Sequence, residues 1–158
     1  MRFDKEIFRE PDFSNRSFNL TVERLMNLKP EVLFKAWTNE FDIWFAAPGS
    51  VLMTGNVNTP FFFETEFRPD ENSDIQRHPH YGRFLQLVPN RLVKLTWVTG
   101  AAGTKGSETV VTVELTPKEE KTLLKLTHSG FPDEESKNKH QQAWPMVLEQ
   151  LEKRYIGK

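Results

Sequence analysis

The carboxy-terminal part of the chain places one long amphipathic helix directly after a series of strands, and this order constrains the fold most. Residues 127–134 are typical of a strand that ends and a helix that begins. The predicted helix then carries large apolar side chains at three- and four-residue spacing, at Trp144, Val147, Leu148, Leu151 and Tyr155. A long helix laid on one face of an antiparallel sheet forms a grip, which can enclose a cavity.

Alternation of apolar and polar residues with a period of two predicts the strands. The first is predicted over residues 17–28, and a polar loop is predicted over residues 68–80. Six further strands are predicted at 51–57, 61–67, 81–88, 91–98, 108–116 and 122–128. Because short turns join most of them, an antiparallel meander is favoured.

Two short helices are predicted between the first strand and this series. Pro30 occupies a first-turn position of the first helix, where its missing N–H costs nothing. The second covers Phe41 to Ala47. The sequence thus predicts an α+β helix-grip fold, in which an antiparallel sheet of six to seven strands (order β-α-α-β6-α) wraps around the long terminal helix. Pro145 predicts a kink near residues 141–144, or a regular helix that starts there.

The composition favours one soluble domain. We expect the 158 residues to form an amino-terminal arm, 1–16, and a single domain, 17–158. The net charge of −1 with scattered Lys and Arg argues against a nucleic-acid partner. The absence of cysteine excludes disulfides, thiolate metal sites and a cysteine nucleophile. Without a signal peptide or an apolar run of ~20 residues, we expect a cytoplasmic protein with no membrane partner.

The sequence contains no catalytic signature. His78 and His80 lie close together, but a zinc site needs three or four ligands. We therefore expect the two histidines to be ordinary polar residues of a loop, and we expect neither a metal nor a cofactor. His128 ends a strand with leucines on its inner face, which favours a hydrogen-bonded core histidine over a proton-transfer group. Glu64 and Glu66 lie opposite the phenylalanines of their strand, which favours exposure to water over acid–base catalysis.

Aromatic residues carry the strongest functional signal, since the chain has 13 Phe and 4 Trp. Many of them fall on elements that should face one another: Trp37, Phe41, Trp44, Phe61, Phe63, Phe84, Trp97 and Trp144. A solid core and a partly open apolar pocket of ~300–1,000 Å³ would both explain this pattern. Periodicity alone favours the solid core.

Four short motifs in a fixed order carry a family resemblance. They are residues 30–38, residues 61–64, the stretch from Gly82 to Trp97, and residues 128–131 followed by Trp144. Together they resemble the activator-of-heat-shock-protein-ATPase-like branch of the START/birch-pollen-allergen superfamily (SRPBCC), over about residues 17–156. The chain departs from many relatives at Thr59-Pro60, where those relatives carry a pair of glycines that would permit a bulge.

The resemblance implies a deep hydrophobic cavity between the sheet and the last helix, which favours the pocket. Members of this superfamily bind lipids, hormones, polyketides or other apolar compounds, and some are cyclases or hydrolases. We therefore expect a non-enzymatic module, monomeric or homodimeric, that binds an apolar small molecule or lipid between the aromatic residues above and Leu148, with His128 as a polar handle.

Two alternatives remain at this point. One is a co-chaperone-like protein that stimulates a heat-shock chaperone ATPase. The eukaryotic co-chaperone of this branch has an additional amino-terminal domain that makes major contacts with the chaperone, and we expect no such domain in this chain. The other is a cyclase or hydrolase that acts inside the cavity through His128 or an acid.

Overall fold

Six antiparallel strands and three helices make up residues 10–156, the part of the protein that the computed structural model describes. The strands are β1 (Phe18–Met26), β2 (Pro60–Phe67), β3 (Gln76–Val88), β4 (Leu92–Trp97), β5 (Thr109–Lys118) and β6 (Lys121–Phe131). The helices are α1 (Pro30–Thr38), α2 (Phe41–Trp44) and α3 (Glu134–Tyr155). The predicted α+β helix-grip fold is confirmed.

The strand order β1-β6-β5-β4-β3-β2 explains why the two short helices are needed. β1 and β2 are neighbours in the chain but lie at opposite edges of the sheet. The segment with α1 and α2 therefore carries the chain from one edge to the other. From β2 onward each strand pairs with the next, as an antiparallel meander requires.

α3 covers the inner face of the sheet and is fixed at both ends. At its start, Asp133 caps the helix by accepting the backbone N–H of Ser136 at 2.8 Å. Near its end, Leu148 and Leu151 are fully buried. The mostly buried Glu152 carboxylate accepts two hydrogen bonds from the Arg24 guanidinium, at 2.7 and 3.2 Å, which ties the helix to β1.

The course of α3 corrects one prediction. The helix begins at Glu134 and continues through Pro145 to Tyr155, so a regular helix that starts near residues 141–144 is wrong. Pro145 cannot donate to the carbonyl of Gln141, four residues earlier. Both residues are exposed, so that this carbonyl can bind water instead.

Two strand predictions also need correction. Residues 51–57 form only isolated bridges, such as Leu52 with Phe62, because Gly55 (φ +72°) and Asn58 (φ +63°) interrupt the extended backbone. Conversely, β3 begins at Gln76, so the predicted loop over residues 68–80 is too long. Pro79 is tolerated there because residues 76–80 of β3 pair only with β2 among the described residues.

The described part of the predicted arm crosses the outer face of the sheet. Glu10 forms an ion pair with Lys94 on β4, at 2.7 Å. Phe13 lies against Gly130 on β6, where a Cβ atom would come within 2.3 Å of the ring. Gly130 also has φ of +88°, so both its backbone and the packing of Phe13 require glycine. Residues 1–9 of the arm lie outside the described residues.

Candidate ligand-binding groove

Most of the aromatic residues predicted to line a pocket are buried and pack closely against one another. The rings of Phe41 and Phe63 stack at 5.0 Å, and those of Trp37 and Trp44 lie 5.1 Å apart. All of the following are at most 3% exposed: Trp37, Phe41, Trp44, Phe61, Phe63, Phe84 and Leu148. Because α1 and α2 insert large side chains between the sheet and α3, the part of this space next to the two short helices is filled by the protein itself.

A groove of about 640 Å³ opens beside this core. It lies between the outer ends of β2 and β3, the loop 99–103 and the middle of α3, residues 139–150. Its apolar and aromatic lining comprises Phe45, Phe67, Pro79, Trp97, Ala101, Ala102, Ala143, Trp144 and Val147. Of the ten predicted site residues, Trp97 and Trp144 border this groove. A ligand-binding role for the other eight stays a prediction.

The register of β2 and β3 explains how the groove forms. Phe63 pairs with His80, Thr65 with His78, and Phe67 with Gln76. The first pair is covered by α2 and Trp97, whereas the side chain of Phe67 is 56% exposed. The two strands thus extend beyond the aromatic core, and their ends form one wall of the groove.

A second hollow lies at α2 and measures about 150 Å³. It is bordered by polar and charged residues as well as aromatic ones, among them Asp42, Trp44 and Arg154. Ligand pockets generally measure ~300–1,000 Å³. The groove has such a volume, and the hollow at α2 does not.

His80 lies at the inner end of the groove, within aromatic rings. Its imidazole stacks on Phe63 at 4.9 Å and meets Trp97 edge-on at 5.2 Å. Its Nδ1 lies 3.0 Å from the main-chain carbonyl oxygen of His78. Burial lowers the pKa of His80 to about 4, so that the ring is neutral at neutral pH.

His140 lies on the opposite wall, on α3. Its Nδ1 is 2.8 Å from the carbonyl oxygen of Ser136, one helical turn earlier. The ring packs against His128 and Phe131, each at 4.9 Å between centroids. Burial is the main cause that lowers the pKa of His140, and the neighbouring Lys139 charge adds to it.

His128 is fully buried and both of its ring nitrogens have partners in the protein. The Trp144 indole N–H donates to Nδ1 at 3.0 Å, and Nε2 lies 2.7 Å from the Thr109 hydroxyl oxygen. That hydroxyl donates to the carbonyl of Trp97, so it must accept from His128. Burial holds the pKa of His128 well below its usual value. His128 is therefore a hydrogen-bonded core histidine that fixes the Trp144 ring at the groove.

Sequence reasoning missed His80 and His140 as groove residues. His80 was assigned to a loop, although it shares the inward parity of Phe84. His140 precedes Trp144, Leu148 and Leu151 at four- and three-residue spacing, which places it on the same helix face. Within residues 10–156 no three His, Asp or Glu side chains are grouped to hold a metal ion. In the same range, no helix is long and apolar enough to cross a membrane.

The family follows from the sequence match. A profile of the activator of Hsp90 ATPase homolog 1-like proteins matches residues 27–155, from the end of β1 to the end of α3. The chain belongs to this AHSA1 family. The predicted resemblance is thereby confirmed, and the groove is a feature of an AHSA1-like domain. No curated protein shows significant similarity to the chain.

Solved structures resemble this AHSA1-like domain at low sequence identity. Protein CV1439 from Chromobacterium violaceum is 23% identical with a TM-score of 0.69, and the match covers 85% of this chain and 95% of that one. The Aha1 dimer from Colwellia psychrerythraea is 19% identical, with a TM-score of 0.62 and coverage of 89% and 98%. DynU16, from the dynemicin biosynthetic locus, is 14% identical, with a TM-score of 0.66 and coverage of 90% and 47%. At these identities the likeness shows the fold alone.

Proposed function

We propose that this AHSA1-like domain is a binding module that holds an apolar or aromatic small molecule in the groove between the sheet and α3. The observation that carries the proposal is an open groove of about 640 Å³, lined by aromatic rings, beside a core that is already filled. Small-molecule sites typically combine such a mostly apolar lining with a few placed polar groups.

The exposed lining favours an aromatic or otherwise apolar occupant. Phe67 is 56% exposed at the outer end, and Trp97 and Trp144, which are only 2% and 3% exposed, close the inner end. Covering such apolar surface stabilises a complex by roughly 25 cal/mol per Å². The charged groups at the rim have partners of their own, since Glu66 pairs with Arg77 at 3.2 Å and Lys139 with Glu135 at 3.4 Å. The groove therefore offers little to a strongly charged ligand.

A pair of arginine substitutions on α3 tests the proposal. Ala143 lines the groove, whereas Met146 lies on the same helix, is 70% exposed and does not border the groove. Ala143→Arg adds bulk and charge inside the groove without removing core packing, so we expect it to abolish binding of aromatic and lipid probes. Met146→Arg adds the same side chain to the same helix and should leave binding unchanged.

Tryptophan fluorescence reports binding, because Trp97 and Trp144 border the groove. Native mass spectrometry of gently purified protein provides an independent search for a co-purified ligand. The proposal is wrong if no probe of a lipid and aromatic library changes the fluorescence and no ligand co-purifies. Equal loss of binding in both arginine variants would place the site elsewhere.

The family description favours a second candidate, stimulation of a chaperone ATPase. It predicts that the protein binds an Hsp90-type chaperone and accelerates its ATP hydrolysis. A pull-down combined with an ATPase assay tests both statements. Acceleration that persists in Ala143→Arg would support this candidate as a function separate from the groove.

A further inference from the structure

Two histidines of the groove are oriented in the same way by the backbone. Nδ1 of His80 lies 3.0 Å from the carbonyl oxygen of His78, and Nδ1 of His140 lies 2.8 Å from that of Ser136. A carbonyl oxygen can only accept a hydrogen bond, so Nδ1 carries the hydrogen in both rings. In the neutral ring, Nε2 is then left as an acceptor with a free lone pair.

Burial keeps both rings in this neutral form. His80 is 9% exposed and His140 is half-buried, and burial is the main cause that lowers both pKa values. Each ring is also surrounded by aromatic neighbours, Phe63 and Trp97 around His80 and Phe131 beside His140. At neutral pH both histidines are therefore uncharged hydrogen-bond acceptors in the groove. A solvent-exposed histidine, in contrast, could take up a proton and become a cation.

Both Nε2 atoms are available to a ligand. Among the residues that the structure describes, neither nitrogen has a hydrogen-bond partner. In that same part of the chain, Trp37 Nε1 is the only fully buried side-chain nitrogen or oxygen without a partner. The two imidazole nitrogens are thus not sealed inside the protein, and both residues border the groove.

Other polar side chains of the groove already form hydrogen bonds within the protein, or can act both as donor and as acceptor. The Thr99 hydroxyl oxygen accepts the N–H of Thr104 at 2.7 Å, and the Gln150 amide donates to the carbonyl of Trp44 at 2.7 Å. Within residues 10–156, no hydrogen bond to the backbone fixes the ring of His78, so it can present either a donor or an acceptor. Among the groove histidines in the described part of the chain, His80 and His140 are the two whose rings the backbone fixes with an acceptor at Nε2.

We propose that His80 and His140 select the ligand of the groove, as hydrogen-bond acceptors that favour a neutral aromatic molecule carrying hydroxyl groups. This inference rests on the proposed function and names the chemical class that the same groove takes. A phenol with a pKa near ~10 keeps its proton beside imidazoles of much lower pKa. The contact is therefore a hydrogen bond from ligand to protein, and no proton is transferred.

Three related probes test this selection: 2-naphthol, 2-methoxynaphthalene and 2-naphthoate. The ether has nearly the same shape as the naphthol but cannot donate a hydrogen bond, and the carboxylate is an anion that only accepts. One hydrogen bond to an acceptor should make 2-naphthol bind roughly 2- to 12-fold more tightly than the ether. The carboxylate should bind most weakly, because it cannot donate to Nε2.

Phenylalanine substitutions assign the preference to the two histidines. The double variant His80→Phe/His140→Phe keeps two rings but removes both acceptors, so the naphthol-to-ether preference should disappear while the affinity for the ether remains. At least one single variant should show part of this loss. Met146→Phe is the control, because it places a phenylalanine on α3 outside the groove and should keep the preference. In histidine-labelled wild-type protein, nitrogen NMR should show that the naphthol, and not the ether, shifts an Nε2 resonance.

The outcomes separate this inference from the proposed function. Equal binding of naphthol and ether to wild-type protein, both lost in Ala143→Arg, would overturn the selection by histidine and leave the groove as a binding site. A preference that survives in the double variant would also overturn it. If none of the three probes binds up to its solubility limit, this inference fails, while the proposed function is decided separately by the lipid and aromatic library and by the search for a co-purified ligand. Should the double variant not fold, the nitrogen NMR measurement on wild-type protein decides.

Discussion

The two ends of the grip use similar residues for different purposes. At the closed end, Trp37, Phe41 and Phe63 pack ring against ring and are fully buried. At the open end, Phe67 belongs to the same strand and the same face as Phe63, yet it is 56% exposed beside the groove. The difference lies in what faces each strand, because α1 and α2 fill only the closed end.

This contrast shows that aromatic content alone does not predict a pocket. A sheet and a covering helix leave a space whose filling depends on the intervening elements. Here the short helices contribute Trp37, Phe41 and Trp44 to it. Beyond their reach, the ends of β2 and β3 and the loop 99–103 leave the groove open.

The largest expected effect separates the two ends by their contribution to stability. Phe63→Ala should lower the free energy of unfolding by about 3–5 kcal/mol, because it leaves a cavity in a closely packed core. Phe67→Ala removes the same ring from a largely exposed position and should cost less than about 0.5 kcal/mol. Chemical denaturation measures both values. Similar losses at the two positions would show that the open end is packed like the core.

Acidification should destabilise the protein because the imidazole of His80, between the closed and the open end of the grip, is buried. Unfolded His80 takes up a proton near its usual pKa of 6.5, whereas the folded form does so only at about 4. Between these values the unfolded state binds more protons, so stability falls as the pH falls, by up to about 3 kcal/mol. Above pH 6.5 His80 itself contributes no pH dependence to the stability.

The variant His80→Phe isolates this contribution. His78, His140, Glu66 and Lys139 are the other titratable groups around the groove, and His128 lies behind it. These groups are present in both proteins, so the difference in unfolding free energy between wild type and variant should change by about 3 kcal/mol from neutral pH to about 4. A difference that does not vary with pH would mean that His80 is solvated.

The smallest expected effect concerns ligand affinity at the rim. Phe67→Ala should weaken binding of an aromatic probe such as 2-naphthol roughly 2- to 10-fold, since a ring contact contributes about 0.5–1.5 kcal/mol. Phe18→Ala provides the comparison, because Phe18 is 40% exposed but does not border the groove. Tryptophan fluorescence titrations measure both affinities. An equal reduction in the two variants would remove Phe67 from the site.

The fold could be predicted from the sequence because its signals are local. The helical spacing from Trp144 to Leu151 and the alternation along β4 to β6 each describe one element. The segment 51–57 was harder, since its alternation is that of a strand while left-handed dihedrals at Gly55 and Asn58 prevent one. Such dihedrals are not visible in an apolar pattern.

The site was less predictable because it depends on contacts between distant segments. Trp97 and Trp144 were identified as candidates from their aromatic character, and both border the groove. His80 and His140 are separated by most of the sheet in sequence, and only the folded chain brings them to one groove. The filling of the interior by α1 and α2 is likewise a matter of tertiary packing, which periodicity does not encode.

The most direct test of the account is a map of amide chemical shifts during titration with 2-naphthol. We predict that the largest changes occur at the groove, around Phe67, His80 and Ala143, while the core around Trp37 and Phe84 changes little. Changes centred on that core would contradict the account, because they would place the ligand inside the packing that the structure shows as filled.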